Sequence, residues 1–239
     1  MKYKLDDTKI KALLLDSGWV LNRPVTGHWF IPPNFFNYVD EKAFKLLDRK
    51  QRNNAFYKAG NYISKQALIV NTQEELVHFL EYYKIFSKEL PQLGLTNQHI
   101  KAIAEDLVFN CNKYGFYQDV VLMIPELCKK YKLAVVSDAW PSLESVFIKS
   151  GLRDHFSSFI ISSAMGITKP HELMYKAALE ELNVSPAEAI FIDDNIKNCK
   201  GAEAVGIQSI LLCRDWKLYL YHKLSSRNFR VIRNLYEIK

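Results

Sequence analysis

Four carboxylates, two hydroxyls and one ammonium stand at or near the ends of short apolar runs. Asp16 closes the run ALLLD and is followed by Ser17 and Gly18; Ser137 and Asp138 close LAVVSD; Asp193 and Asp194 close AIFIDDN; Lys169 precedes Pro170. Taken singly, an Asp or Ser after a strand is an ordinary helix cap or turn former, and a lysine is an ordinary surface charge. Taken together, these residues suit a bound metal ion and an anionic group. Capping alone would require no lysine.

The elements that must position these groups are legible as alternating patterns. Apolar runs rich in β-branched and aliphatic residues predict strands at 11–15, 133–137, 158–162, 189–193, 208–213 and 230–233. Helical stretches at 143–150, 171–182 and 195–205 lie between them. This βαβ rhythm predicts an α/β fold with a doubly wound, Rossmann-like parallel sheet. In such a sheet ligands bind outside the carboxyl ends of the strands, which is where the candidate residues fall.

The segment 22–115 breaks the rhythm. Its apolar residues recur at helical spacing, as in Glu74, Glu75, Leu76, Phe79, Leu80, Tyr83, and no strand pattern is found. The reading is a core domain of 1–21 with 116–239, and a helical cap domain, 22–115, inserted after the first strand. Its many aromatic residues are expected mainly to fill the space between its helices. Pro125, inside the apolar run 120–127, must either open a helix or kink one.

Bulk composition narrows the function classes. With 239 residues, 49% apolar and 24% charged, the chain is long enough for one large domain or a domain with an insertion. The net charge of +6 is dispersed, its only loose cluster being Lys223, Arg227, Arg230 and Arg233. A solvated surface accounts for that cluster, and with no reader motif the expectation is no nucleic-acid partner. No apolar stretch approaches the roughly 20 residues that span a bilayer, so no membrane partner is expected. The start of the chain carries acidic residues and lacks the pattern of a signal peptide. The four cysteines form no CxxC pair, which argues against zinc sites and disulfide frameworks and favours a cytoplasmic location.

The four segments KALLLDSGWVL, LAVVSD, MGITKP and FIDDN resemble, in order and spacing, the four motifs of the haloacid dehalogenase superfamily. The resemblance covers about 10–22 and 116–235, and the insertion is similar in position and helical character. It implies a hydrolase with Asp16 as nucleophile, Ser137 as hydrogen-bond donor to a transferred phosphoryl group, and Lys169 as the site's cation. It further implies Mg²⁺ held by Asp16, the Gly18 carbonyl and Asp194, with Asp193 assisting. The expected reaction is hydrolysis of a small phosphorylated metabolite through an aspartyl-phosphate, since a carboxylate nucleophile splits one difficult displacement into two easier ones.

One position departs from the pattern. The family's phosphatases usually carry a second aspartate two residues after the nucleophile, as general acid and base, and Gly18 stands there. Loss of such a group costs about 10²–10⁴-fold in rate. Two alternatives follow: a catalytically weak protein that binds a ligand or partner, and a metal-independent 2-haloacid dehalogenase, whose leaving group needs no proton. Ser17, Asp138, Arg23 and His28 are the candidate substrate contacts, and His28 is also a candidate replacement for the missing acid. The resemblance leaves substrate identity and oligomeric state open.

Overall fold

The computed structural model describes residues 9–225 and 229–238. The strands are β1 (Ala12–Leu15), β2 (Asn22–Pro24), β3 (Tyr114–Phe116), β4 (Lys132–Ser137), β5 (Ser158–Ile161), β6 (Ala189–Asp193), β7 (Gln208–Leu212) and β8 (Arg230–Ile232). The α-helices are α1 (Glu41–Leu46), α2 (Arg49–Ile63), α3 (Thr72–Glu89), α4 (Asn97–Phe109), α5 (Gln118–Leu127), α6 (Ser142–Lys149), α7 (Ser162–Met165), α8 (Glu172–Leu182), α9 (Ile196–Ala204) and α10 (Trp216–Ser225). The chain forms two compact units. One holds the chain up to Arg23, Phe116–Ala139 and the chain from Phe147 on; the other holds Pro24–Gly115 together with Trp140–Val146.

The first unit is built on a six-stranded sheet in the order β5-β4-β1-β6-β7-β8, parallel throughout. The central strands β1 and β6 are buried along their whole length, as expected of apolar runs covered on both faces. On one face Leu14, Val136 and Phe191 pack with Met174, Tyr175, Ala178 and Leu182 of α8. The register sets Leu15 opposite both Val135 and Ile192, so Asp16, Ser137 and Asp193 emerge at one edge.

The second unit is helical and has its own core, with Phe35, Phe79, Tyr82, Tyr83, Phe86 and Ile103 fully or almost fully buried. Side-chain caps start its helices: Asp40 accepts from Ala43 N–H, Asn71 from Glu74 N–H and Thr96 from His99 N–H. Glu75 on α3 is buried, and both its carboxylate oxygens accept from Ser142, at 2.7 Å from the backbone N–H and 2.5 Å from the hydroxyl. Lys113 donates to the same hydroxyl and to the Leu107 carbonyl, each at 2.6 Å. These bonds stitch Trp140–Val146 into the helical unit.

One sequence expectation changes, and one open choice narrows. Residues 22–115 contain strand after all, because β2 and the start of β3 fall at its two ends and pair in a separate two-stranded sheet. Strands of three residues are too short for an alternating pattern to register. Pro125 does not open a helix; it lies inside α5, in its last turn. No helix among the described residues is long and apolar enough to cross a membrane. Of the loose basic cluster, Arg227 lies outside the described residues, while Lys223 and Arg233 lie over the Tyr219 ring.

Candidate active site

The site grows from the turn after β1. The Asp16 N–H donates to the Ile192 carbonyl at 2.9 Å, which continues the sheet ladder by one residue. The chain then folds back sharply: Leu21 and Asn22 N–H both donate to the Ser17 carbonyl, and the Asn22 side chain donates to Ser17 Oγ at 2.7 Å. Ser17 is buried, so its hydroxyl is spent inside the turn. Trp19, at φ 58°, takes the left-handed backbone of this turn. Gly18 forms an isolated bridge with Asn22.

Lys169 connects the first and last motifs. Its buried ammonium donates to Asp16 Oδ1 at 2.6 Å and to Asp193 Oδ2 at 2.8 Å. Asp193 is fully buried and accepts two more bonds, from Asn195 N–H at 2.7 Å and Asn198 Nδ2 at 3.0 Å. Carboxylate oxygens of Asp16, Asp193 and Asp194 all lie within 4.8 Å of one another. Asp138 accepts the Lys169 backbone N–H at 2.9 Å, and Ser137 sits buried at the end of β4.

The electrostatics follow from three carboxylates meeting one ammonium. Desolvation pushes the Asp16 carboxyl up to about 6, with Asp193 adding repulsion and Lys169 opposing. Asp194 is pushed up to about 7 by desolvation and by the charges of Asp16 and Asp193. Burial lifts Asp138 too, against the pull of Lys169. For Lys169, burial favours the neutral form, but Asp16, Asp193 and Asp138 outweigh it and hold the ammonium charged well above the ordinary lysine value. The cluster is short of positive charge.

Several positioning residues escaped the sequence reading. Asn198 reaches back from the first turn of α9 to Asp193, and Tyr175 donates to the Asn198 carbonyl at 2.8 Å. Gly201 lets α9 approach the segment that carries Lys169: a Cβ there would lie 2.6 Å from Pro170 Cβ and 2.9 Å from both the Pro170 carbonyl and the Tyr175 hydroxyl. An isolated glycine in a helical pattern was the available signal. Cys199 is packed and buried, with its thiol pushed up by desolvation, so it is no nucleophile.

Arg23 is exposed, with its guanidinium 5.6 Å from the centre of the Tyr117 ring. His28 belongs to the helical unit, where its Nδ1 accepts the Phe30 N–H at 3.2 Å and its ring packs 4.2 Å from Phe56. Burial pulls its pKa down, which favours the neutral imidazole with its proton on Nε2.

Residues 46–212 match the model of the haloacid dehalogenase-like hydrolases, a stretch that takes in Ser137, Lys169, Asp193 and Asp194. The chain belongs to that family. A phosphoserine phosphatase of Thermus thermophilus is 27% identical over 134 residues, which is 55% of this chain and 54% of the relative. The chain spans about half or less of the length of the first curated relatives it matches. Two solved structures share the fold. L-2-haloacid dehalogenase from Xanthobacter autotrophicus superposes with a TM-score of 0.58 at 22% identity, over 91% of this chain and 83% of that one. A family enzyme from Bacteroides thetaiotaomicron, in complex with magnesium and inorganic phosphate, gives 0.59 at 20% identity, over 87% and 98%.

Proposed function

We propose that this hydrolase is a magnesium-dependent phosphatase that cleaves a small phosphorylated metabolite through an aspartyl-phosphate on Asp16. The observation that carries this reading is the cluster of Asp16, Asp193 and Asp194 around the single ammonium of Lys169. A hard cation with oxygen ligands fits that donor set and offsets its surplus negative charge. Asp16, Asp194 and the Gly18 carbonyl would hold it. Asp193 already accepts from Lys169, Asn195 and Asn198, which suits it to anchoring Lys169 and assisting through water. When bound, the cation supplies charge that weakens repulsion between a carboxylate nucleophile and an anionic phosphoryl group. The Mg²⁺ and phosphate held by the Bacteroides relative, and the phosphoserine named for the Thermus relative, support the same reading.

The chain's own residues then divide the work. Lys169 takes one oxygen of Asp16, leaving Oδ2 to attack phosphorus as the bond to the leaving oxygen breaks. Ser137 orients an oxygen of the phosphoryl group, and Lys169 neutralises part of the charge that gathers there. Water next attacks the acyl phosphate, releasing inorganic phosphate and restoring the Asp16 carboxylate. No carboxylate stands at Gly18 to protonate the leaving group, which favours esters whose leaving group departs as an anion.

Gly18 also favours a second reading, halide displacement from a 2-haloacid, which needs no proton and no metal. A panel of phosphate esters and 2-haloacids, each assayed with Mg²⁺ and with chelator, decides. Magnesium-dependent phosphate release supports the phosphatase, and metal-independent halide release supports the dehalogenase. Silence on every substrate, with Mg²⁺ still bound in calorimetry, would point to a binding protein.

A further inference from the structure

Beside Asp194, within the α/β unit, lies a cavity of about 290 Å³ walled by Trp19, Leu212, Leu218 and His222. Two of its other polar walls, Arg214 and Asp215, make bonds elsewhere. Arg214 donates to Asp119 at 2.7 Å and to the Val20 carbonyl at 2.5 Å, and stacks 4.0 Å from the Tyr117 ring centre. Asp215 caps α10, accepting from Lys217 and Leu218 N–H at 2.9 and 3.0 Å. The Cys213 thiol is pushed up to about 11, chiefly by desolvation, so it lines the cavity as a protonated, weakly polar group. What remains is a chamber walled largely by aliphatic and aromatic side chains and the His222 imidazole, with the Asp194 carboxylate at its edge. Its volume accommodates a single or fused ring.

Trp19 is the unusual wall. Bulky side chains rarely occupy the left-handed backbone region, and residues held there persist where the surroundings over-determine them, often at ligand sites. Here the Trp19 N–H is fixed to the Asn22 carbonyl at 2.8 Å, and φ is 58°. A glycine would take that conformation with less strain. Trp19 is 40% exposed, so its side chain is partly open to solvent. The backbone disfavours a bulky residue here, yet a partly exposed tryptophan lines a cavity that also takes in Asp194 of the carboxylate cluster.

We propose that Trp19 is the specificity-determining residue of this site, its indole forming the platform on which the planar aromatic body of a phosphorylated substrate stacks within this cavity. The inference rests on the phosphatase reading for the phosphate end, and concerns the other end of the same molecule. It ranks aromatic phosphate esters above small sugar or alkyl phosphates.

Calorimetric titration of the whole protein with phenylphosphonate and with methylphosphonate, both in Mg²⁺, tests this without turnover. Wild type is expected to bind phenylphosphonate about tenfold more tightly. Trp19→Phe should keep most of that preference. Trp19→Gly should lose it while melting no lower than wild type. Leu218→Ala, at a position 55% exposed and so tolerant of truncation, should erode the preference severalfold even if the glycine variant fails to fold. Equal binding of both phosphonates by wild type, or a preference that survives in Trp19→Gly or is untouched in Leu218→Ala, overturns the role of Trp19 and leaves the phosphatase reading standing. Binding of neither phosphonate, with Mg²⁺ still bound, sinks the phosphate reading and this inference with it.

Discussion

In the helical unit, Glu75 and Lys113 meet one for one over Ser142; in the α/β unit, Lys169 faces three carboxylates. Both clusters are buried, and both pay desolvation. Glu75 is lifted above the usual carboxylate range chiefly by burial, and Lys113 is pulled down to about 8 by the same cause. Yet both oxygens of Glu75 are bonded, and Lys113 has two acceptors, so that cluster is closed by its own hydrogen bonds. The Asp16 cluster is unbalanced, and desolvation pushes Asp16 and Asp194 above the usual carboxylate range. A closed pair holds two chain segments together; an unbalanced one in a cleft is how functional sites are commonly built.

The sharpest way to break this contrast is at Asp16. Asp16→Asn removes the proposed nucleophile and part of the surplus charge, so phosphate release should fall by at least about 10⁴-fold with no loss of melting temperature. Comparable turnover in the variant, measured in single-turnover assays, would remove Asp16 from the chemistry. The opposite pattern is expected at Glu75. Glu75→Ala strands the Lys113 charge and the Ser142 N–H in the interior and should cost about 3–5 kcal/mol in denaturant unfolding. Glu75→Gln should cost less, and an alanine effect under about 1 kcal/mol would show that the closed cluster does not hold the helical unit together.

Two smaller effects sharpen the comparison. If only the missing acid limits turnover, Gly18→Asp should raise hydrolysis of an alkyl phosphate by about 10²-fold and that of an aryl phosphate far less, because an aryl oxide leaves without a proton. Equal gains on both, or none in a stable variant, would direct attention to another proton donor, His28 first. Gly201→Ala should destabilise by about 1–3 kcal/mol through overpacking against Pro170 and Tyr175. Because Pro170 adjoins Lys169, the same variant should also slow turnover. A stable variant with unchanged kinetics would show that this close approach does not position the lysine.

Local pattern determined much of this protein. Runs such as ALLLD and AIFIDD carry their strand character in β-branched and aliphatic residues, and they place Asp16 and Asp193 at strand ends because a parallel sheet buries such runs completely. The helical character of the insertion follows equally from the 3.6-residue spacing around Phe79 and Tyr83. Tertiary structure alone decided the partners. Lys169 reaches Asp16 across 153 positions, and Glu75 reaches Ser142 across 67, separations at which no periodicity in one sequence carries information. The same holds for Trp140–Val146, drawn into the helical unit by a buried carboxylate, and for Gly201, whose missing Cβ matters only once α9 lies against Pro170. Trp19 is the clearest case: its backbone angle and its place in one cavity with Asp194 and Leu212 arise from how the turn after β1 folds, and nothing in the tripeptide Ser17-Gly18-Trp19 encodes those neighbours.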